Sequence, residues 1–193
     1  MMGTMPDTAN ARPIEVDVII EDQAWRALDD AEAVVARAVT AACSWPLPEG
    51  DGHSAANAPG AAPSDAAIAV AVLLTNDAHV AELNADFRGK PSPTNVLAFP
   101  TFDDDDTPAQ QGLVNTGEAH PLGDLALAAG VMTGEAETLG KSLHDHTVHL
   151  CVHGTLHLRG LDHDAPARAT AMEAGETAIL ATLGVADPYE DAA

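Results

Sequence analysis

Three histidines near the end of the chain carry the clearest chemistry in the sequence. His153, His157 and His163 lie in HGTLHLRGLDH, residues 153–163, and His149 precedes them by a further step of four. In a helix of ~3.6 residues per turn, His149, His153 and His157 share one face. Two imidazoles one turn apart can converge on a single zinc ion at ~2.0–2.1 Å from each nitrogen. Gly160 tolerates positive φ, so the chain can leave the helix there and bring His163 back toward the same ion. Three neutral imidazoles leave one tetrahedral position for water, the layout of a catalytic zinc rather than a closed structural one. With three ligands sufficient for one ion per chain, His149 is expected behind the ligands or in packing. Imidazoles also suit iron, nickel and copper, so the spacing specifies a site before it specifies an element.

The pattern H-x-x-x-H-x-x-G-x-x-H is that of metzincin peptidases, with Gly154 where they carry glutamate. That glutamate is the general base for the attacking water. Without it, peptide hydrolysis lacks its proton acceptor and the group that protonates the leaving amine. A phosphodiester makes different demands. A metal can activate water or bind a phosphate oxygen, while a cationic side chain stabilises the charge on the phosphorane. Gly154 therefore counts against a peptidase and leaves phosphoryl chemistry open.

The elements that must position these residues follow from periodicity. PIEVDVII (Pro13–Ile20) alternates as a strand, and a helix is predicted from about Gln23 to Cys43 with Asp22 as its N-cap. Trp45–Asp65 is rich in Pro, Gly, Ala and Ser and reads as a flexible loop inserted in the fold, with His53 solvated in it. Ala66–Leu74 is a continuous apolar run of strand length, followed by a short helix capped by Asn76 or Asp77 and ending near Gly89. Further strands are predicted at Thr94–Pro100 and Pro121–Ala129, with helices from Gly130 to Gly140, Leu143 to Arg159 and Ala165 to Leu183. Asp103–Asp106 reads as a solvated turn. The sum is an α+β domain with about four strands and five helices around one core, spanning residues 1–193.

Composition sets the outer bounds. A hydrophobic fraction of 46% supports a globular chain, although aromatic residues make up only 3%. No apolar run approaches the ~18–20 residues that cross a bilayer, so no membrane role is expected. MMGTMPDTANARP has neither the basic start nor the apolar core of a secretory signal, which makes a cytoplasmic location the expectation. Cys43 and Cys151 are too few for a disulfide framework, and Cys151 sits in an apolar stretch where a buried thiol fits. The net charge of −22, with eight Lys and Arg in all, argues against a nucleic-acid partner on its own. Placement softens that argument. Arg88 and Lys90 sit together, and Lys141 and Arg159 flank the histidines, so a locally positive cleft on an acidic body is still available.

At this level of detail the chain resembles one family. HGTLHLRGLDH is similar to the signature of the YbeY family of bacterial endoribonucleases, LNADFRGKPSPTNVLAFP (Leu83–Pro100) to its second block, and LGDLALA (Leu122–Ala128) to its third. The blocks span about Leu83–Asp164 in the family's order. The resemblance implies a zincin-like α+β domain with the metal on a central helix and the turn after it. It further implies a zinc-dependent endoribonuclease for single-stranded RNA, acting in small-subunit rRNA 3′-end maturation and ribosome quality control. The small ribosomal subunit and its assembly factors would be its partners. By the same resemblance the zinc ligands are His153, His157 and His163, and the arginine that engages the RNA phosphate is Arg88. Asp162 matches the family and is expected to orient a ligand or tighten the turn. Ala98 departs from the usual serine, Leu161 from an aromatic or methionine, and the loop Trp45–Asp65 is longer than usual. Two other readings stand beside this one: a non-catalytic ribosome-assembly factor with a structural zinc, and a metalloprotease.

Overall fold

A computed structural model describes residues 12–47, 67–101 and 119–190. From position 48 onward the loop expected over 45–65, with His53, lies outside these residues, as does the acidic run Asp103–Asp106. Strands β1 (Ile14–Ile20), β2 (Ile68–Thr75), β3 (Val96–Pro100) and β4 (His120–Ala128) form one mixed sheet in the order β1-β2-β4-β3. β1 and β4 flank β2 in parallel, while β3 pairs antiparallel with β4. The helices are α1 (Ala31–Ser44), α2 (Asp77–Arg88), α3 (Ala129–Thr138), α4 (Leu143–Leu158) and α5 (Pro166–Leu183). Among the described residues, the α+β class, the four strands and the five helices are those expected from periodicity.

Central β2 reads IAVAVLLT, and Ile68, Val70, Val72 and Leu74 bury one of its faces. A parallel strand covered on both faces needs such a run. Edge strand β1 instead alternates, with Glu15 and Asp17 exposed and Ile14, Val16 and Val18 packed on the core. Charges on an outer strand discourage pairing with a second chain. Apolar residues of α1, α4 and α5 pack with the sheet in the main core. Val80 of α2 meets Leu97, Ala126 and Ala128 in a second, smaller core on the sheet.

The helix predicted from Gln23 to Cys43 is in fact two pieces. A 3₁₀ turn covers Gln23–Ala27, capped by Asp22, whose carboxylate accepts from the Ala24 N–H at 2.8 Å. Trp25 is buried and donates its indole N–H to the Thr75 carbonyl at 2.9 Å, which ties the turn to the end of β2. The chain then passes through Asp30 in the left-handed region, at φ 51°, before α1 starts. Trp25, Leu28 and Ala31 are all buried at a spacing of three, and this spacing imitates one continuous helix. The strands also differ at their ends. β3 begins at Val96 rather than Thr94, and the Asn95 side chain takes the Val96 N–H at 2.7 Å.

β4 runs directly into α3 with Ala128 at the cap position, where no side chain can accept a hydrogen bond. Asp77 fills that gap from the start of α2, its carboxylate accepting from the Gly130 and Val131 N–H groups at 2.8 and 3.1 Å. A carboxylate on free helical N–H groups also meets the positive end of the helix dipole. The sheet and its two flanking helices are locked together at this corner.

Both thiols are buried, and burial pushes Cys43 up to about 11 and Cys151 up to about 12. The nearby Arg159 guanidinium offsets only part of the Cys43 shift. The thiolate is the reactive form. Alkylation of the native protein at mildly alkaline pH should therefore leave both cysteines unmodified, whereas denaturant should expose both; mass spectrometry of the native sample showing rapid labelling would contradict this.

Candidate metal centre

Helix α4 starts from Ser142, whose hydroxyl accepts from the Asp145 N–H at 3.0 Å. From His146 to Leu158 every residue is buried except His149, His153 and His157, which are half-buried. A helix this apolar on all sides belongs in a protein interior. Its one open stripe is the histidine face, so the sequence that buries the helix also aims the imidazoles.

The helix ends where Gly160, at φ +85°, takes the left-handed conformation. The Gly160 N–H bonds the His157 carbonyl at 2.9 Å and the Leu161 N–H bonds the Leu156 carbonyl at 3.0 Å. This is the Schellman closure of a helix, with buried Leu161 and Leu156 as the apolar residues at its two ends. The reversed chain carries His163 toward His157, with ring centroids 5.1 Å apart. Asp162 accepts from the His163 backbone N–H at 2.7 Å, and the same oxygen lies 3.6 Å from the His163 ring nitrogen.

His153, His157 and His163 each offer a nitrogen such that all three lie within 4.8 Å of one another. The Nε2 atoms of His153 and His157 are 3.1 Å apart. Two nitrogens at ~2.0–2.1 Å from one zinc ion in tetrahedral array are separated by ~3.3 Å, so this pair fits such an ion closely. Burial, then the neighbouring His153 and His163, lower the His157 pKa to about 4 against the opposing pull of Asp162. Neutral imidazole is the form that binds metal. His149 does not join the three; it points its Nε2 at Glu176, 3.1 Å away.

Glu176 is the residue that motif reading missed. It lies on α5 with no exposed surface, and its carboxylate accepts from His153 Nδ1 at 2.7 Å, from His149 Nε2, and from the Tyr189 hydroxyl. Burial works to raise its pKa. Hydrogen bonds from His149 and His153, the His153 charge and the Tyr189 bond outweigh that and bring it down to about 2. The sequence did hold a signal. Met172, Gly175, Ile179 and Leu180 are the buried positions of α5, and Glu176 falls among them at helical spacing. A charge placed in an apolar stripe is the informative exception.

The profile described as endoribonuclease YbeY matches residues 54–184. The chain belongs to the YbeY family. Relatives named endoribonuclease YbeY include one from Dinoroseobacter shibae, 46% identical over 180 residues, covering 91% of this chain and 90% of the relative. Another, from Maricaulis maris, is 43% identical over 174 residues and covers 90% and 91% of the two chains. A solution structure of a Thermotoga maritima protein aligns with 91% of this chain and 99% of its own, at 18% identity and a TM-score of 0.45.

In this YbeY chain Gly154 has a packing reason. A Cβ there would sit 2.8 Å from Leu125 Cδ2 and 3.3 Å from Val96 Cγ2, so the position faces β4 and β3. The place that holds the base in a metzincin is here filled by two apolar side chains. Arg159 also departs from its expected role as a cation near the histidines. It is buried, donates to the Ala42 carbonyl at 2.5 Å near the end of α1, and burial lowers its pKa to about 10. It serves the α1 carboxyl end, where a cation meets the negative pole of the helix. Arg88 is exposed in the last turn of α2 and donates to the Ala98 carbonyl of edge strand β3 at 3.4 Å, rather than to the histidine cluster.

Gly154→Ala should lower stability by ~1–3 kcal/mol, the usual cost of overpacking a core, read from denaturant unfolding. Gly154→Glu should cost more and gain no proteolytic activity on casein. A stable Gly154→Glu protein that cleaves casein would show that the seat is open after all.

Proposed function

We propose that this YbeY protein is a metal-dependent endoribonuclease that cuts single-stranded RNA, with zinc held by His153, His157 and His163. The convergence of the three imidazoles, with two Nε2 atoms 3.1 Å apart, is the observation that carries this reading. The name endoribonuclease on relatives above 40% identity supplies the reaction class. A zinc ion bound there supplies Lewis acidity toward a phosphate oxygen and toward water. The arrangement of helix, glycine turn and third histidine is zincin-like. Its closed seat at Gly154 sets the bond type apart from that of a peptidase.

The chain's own residues supply the rest. His153 and His157 present their Nε2 atoms to the site, and Asp162 holds His163 through its backbone N–H. Arg88 engages a phosphate oxygen of the RNA; its hydrogen bond to Ala98 uses one nitrogen and leaves the rest of the exposed guanidinium fork for the phosphate. Beside it, Phe87 is 69% exposed and rests on Phe99 edge to face, with centroids 5.0 Å apart. An aromatic face next to a guanidinium suits an unpaired base and its phosphate. The natural substrate on this reading is small-subunit rRNA near its 3′ end. Quality control of the small subunit, together with its assembly factors in the cytoplasm, is the setting. In the described residues no helix is long and apolar enough to cross a membrane.

The test uses a single-stranded rRNA fragment with metal analysis of each protein. Wild type should carry one zinc per chain and cut the RNA. His157→Ala should remain folded and lose both metal and cleavage. Arg88→Glu should keep its zinc while cleavage falls about ten- to a hundredfold, the equivalent of a charge-assisted hydrogen bond worth ~1.5–3 kcal/mol. Added salt should weaken cleavage, since phosphate contacts are screened. Product ends report the nucleophile: 5′-phosphate for water, 2′,3′-cyclic phosphate for the RNA's own hydroxyl. A folded His157→Ala protein that cleaves RNA at the wild-type rate would leave the metal a structural role only. Zinc lost from Arg88→Glu would refute the role given to Arg88.

A further inference from the structure

We infer that Glu176 is the positioning residue of the metal centre, and that Tyr189, after the last helix, holds Glu176 in register. Metal affinity is thereby set by residues outside the ligand set. The inference rests on the metal reading above and deepens it.

Buried Glu176 arranges its three partners unequally. Oε2 takes both His149 Nε2 and the Tyr189 hydroxyl, whereas Oε1 takes His153 Nδ1 alone, at 2.7 Å. The first pair fixes the carboxylate plane and leaves Oε1 directed at His153. An ionised carboxylate only accepts, so the proton of a neutral His153 must sit on Nδ1. Its Nε2 then carries a lone pair, and that atom is the one 3.1 Å from His157 Nε2. Without the carboxylate, His153 can take the other tautomer and donate from Nε2 to His157. That hydrogen bond would occupy the place an ion needs. A carboxylate behind a ligand histidine fixes tautomer and ring orientation together.

The C-terminal segment is built to deliver Tyr189. α5 stops at Gly184 and the Val185 N–H returns to the Leu180 carbonyl at 3.0 Å. Asp187 then accepts from the Thr177 hydroxyl at 3.2 Å and from the Tyr189 N–H at 2.9 Å, which folds the segment back along α5. The Tyr189 ring stands edge-on to His149, centroids 6.2 Å apart. Nothing in the packing of Met172, Ile179 and Leu180 calls for a charge between them. Its partners do: all three are at or beside the histidine stripe.

The test measures zinc affinity by chelator competition, and the His153 tautomer in the metal-free protein by nitrogen-edited NMR. Glu176→Gln should weaken zinc binding about 10–100-fold and let His153 populate the Nε2–H form. Tyr189→Phe, which removes one hydroxyl, should keep the fold by circular dichroism and weaken zinc binding several-fold. If Glu176→Gln does not fold, Tyr189→Phe and the wild-type tautomer decide alone. Wild-type zinc affinity in the folded variants, with His153 still protonated at Nδ1, would overturn the inference while leaving the metal reading intact. A metal-free wild type showing Nε2–H would overturn it directly. Failure of the wild type to bind zinc at all would instead remove the metal reading on which it stands.

Discussion

Helix α4 lies against β3 and β4 at a separation that only glycine permits, because a methyl group on Gly154 would meet Leu125 and Val96 at 2.8 and 3.3 Å. That contact sets the depth of the helix in the protein. A deeper α4 is buried around its circumference by the sheet, α1, α3 and α5. Only one stripe remains in reach of solvent, and His149, His153 and His157 form it. The geometry of the histidines thus depends on a residue that carries no side chain. A similar contact stands at Gly123, where a Cβ would fall 2.3 Å from the Phe99 carbonyl and 2.9 Å from Leu158. Gly123 holds β3 and the end of α4 close to β4, at the turn of helix just before the chain reverses.

Burial of this kind creates an electrostatic problem that the fold solves locally. Burial holds the His157 imidazole below the usual histidine range, and a carboxylate buried behind the stripe would ordinarily resist ionisation. Glu176 remains a carboxylate through the hydrogen bonds it receives, and those bonds orient two of the three histidines in the stripe. Removing one partner of such a set leaves a desolvated charge, which costs far more than the pair contributes by its presence. Arg159 shows the same logic at the other end of α4. A guanidinium with no exposed route out finds the Ala42 carbonyl at the negative pole of α1. Its charge is spent on joining two helices, so the cations left on the surface weigh more in any contact with RNA.

Much of this was legible in the sequence, and the limits have physical causes. The run from Ala66 to Leu74 could be read as a buried central strand because a parallel strand has no polar face to show. The histidine helix and its glycine stop could be read because both follow fixed local rules of spacing and φ. The break near Asp30 could not, since Trp25, Leu28 and Ala31 keep a helical interval while serving a 3₁₀ turn and a new helix. Gly154 was visible as an absence, a missing base. That it is also a contact requires knowing which strands lie opposite, and that is a matter of long-range topology. Glu176 lay 13 residues beyond His163, outside any motif, and only the packing of α5 beside α4 brings it to His153. Arg159 looked like one more cation near the site because sequence shows proximity along the chain and not direction.

Edge strand β3 joins the two halves of the proposed reaction. On one side its Val96 packs against Gly154, one residue from His153, while Ala98 pairs in register with Leu125, the other neighbour of that glycine. Its Ala98 carbonyl receives Arg88 from the end of α2. Phe99, next along the strand, packs with α2 in the second core and carries Phe87 on its edge. The cation and the imidazoles therefore come from helices packed in different cores, and a short strand sets their spacing. Two groups on one mobile loop would lose their mutual geometry with every motion of that loop. Fixed to a strand that is itself paired to β4, they keep it, and a positioned phosphate gains from that rigidity more than from any single contact.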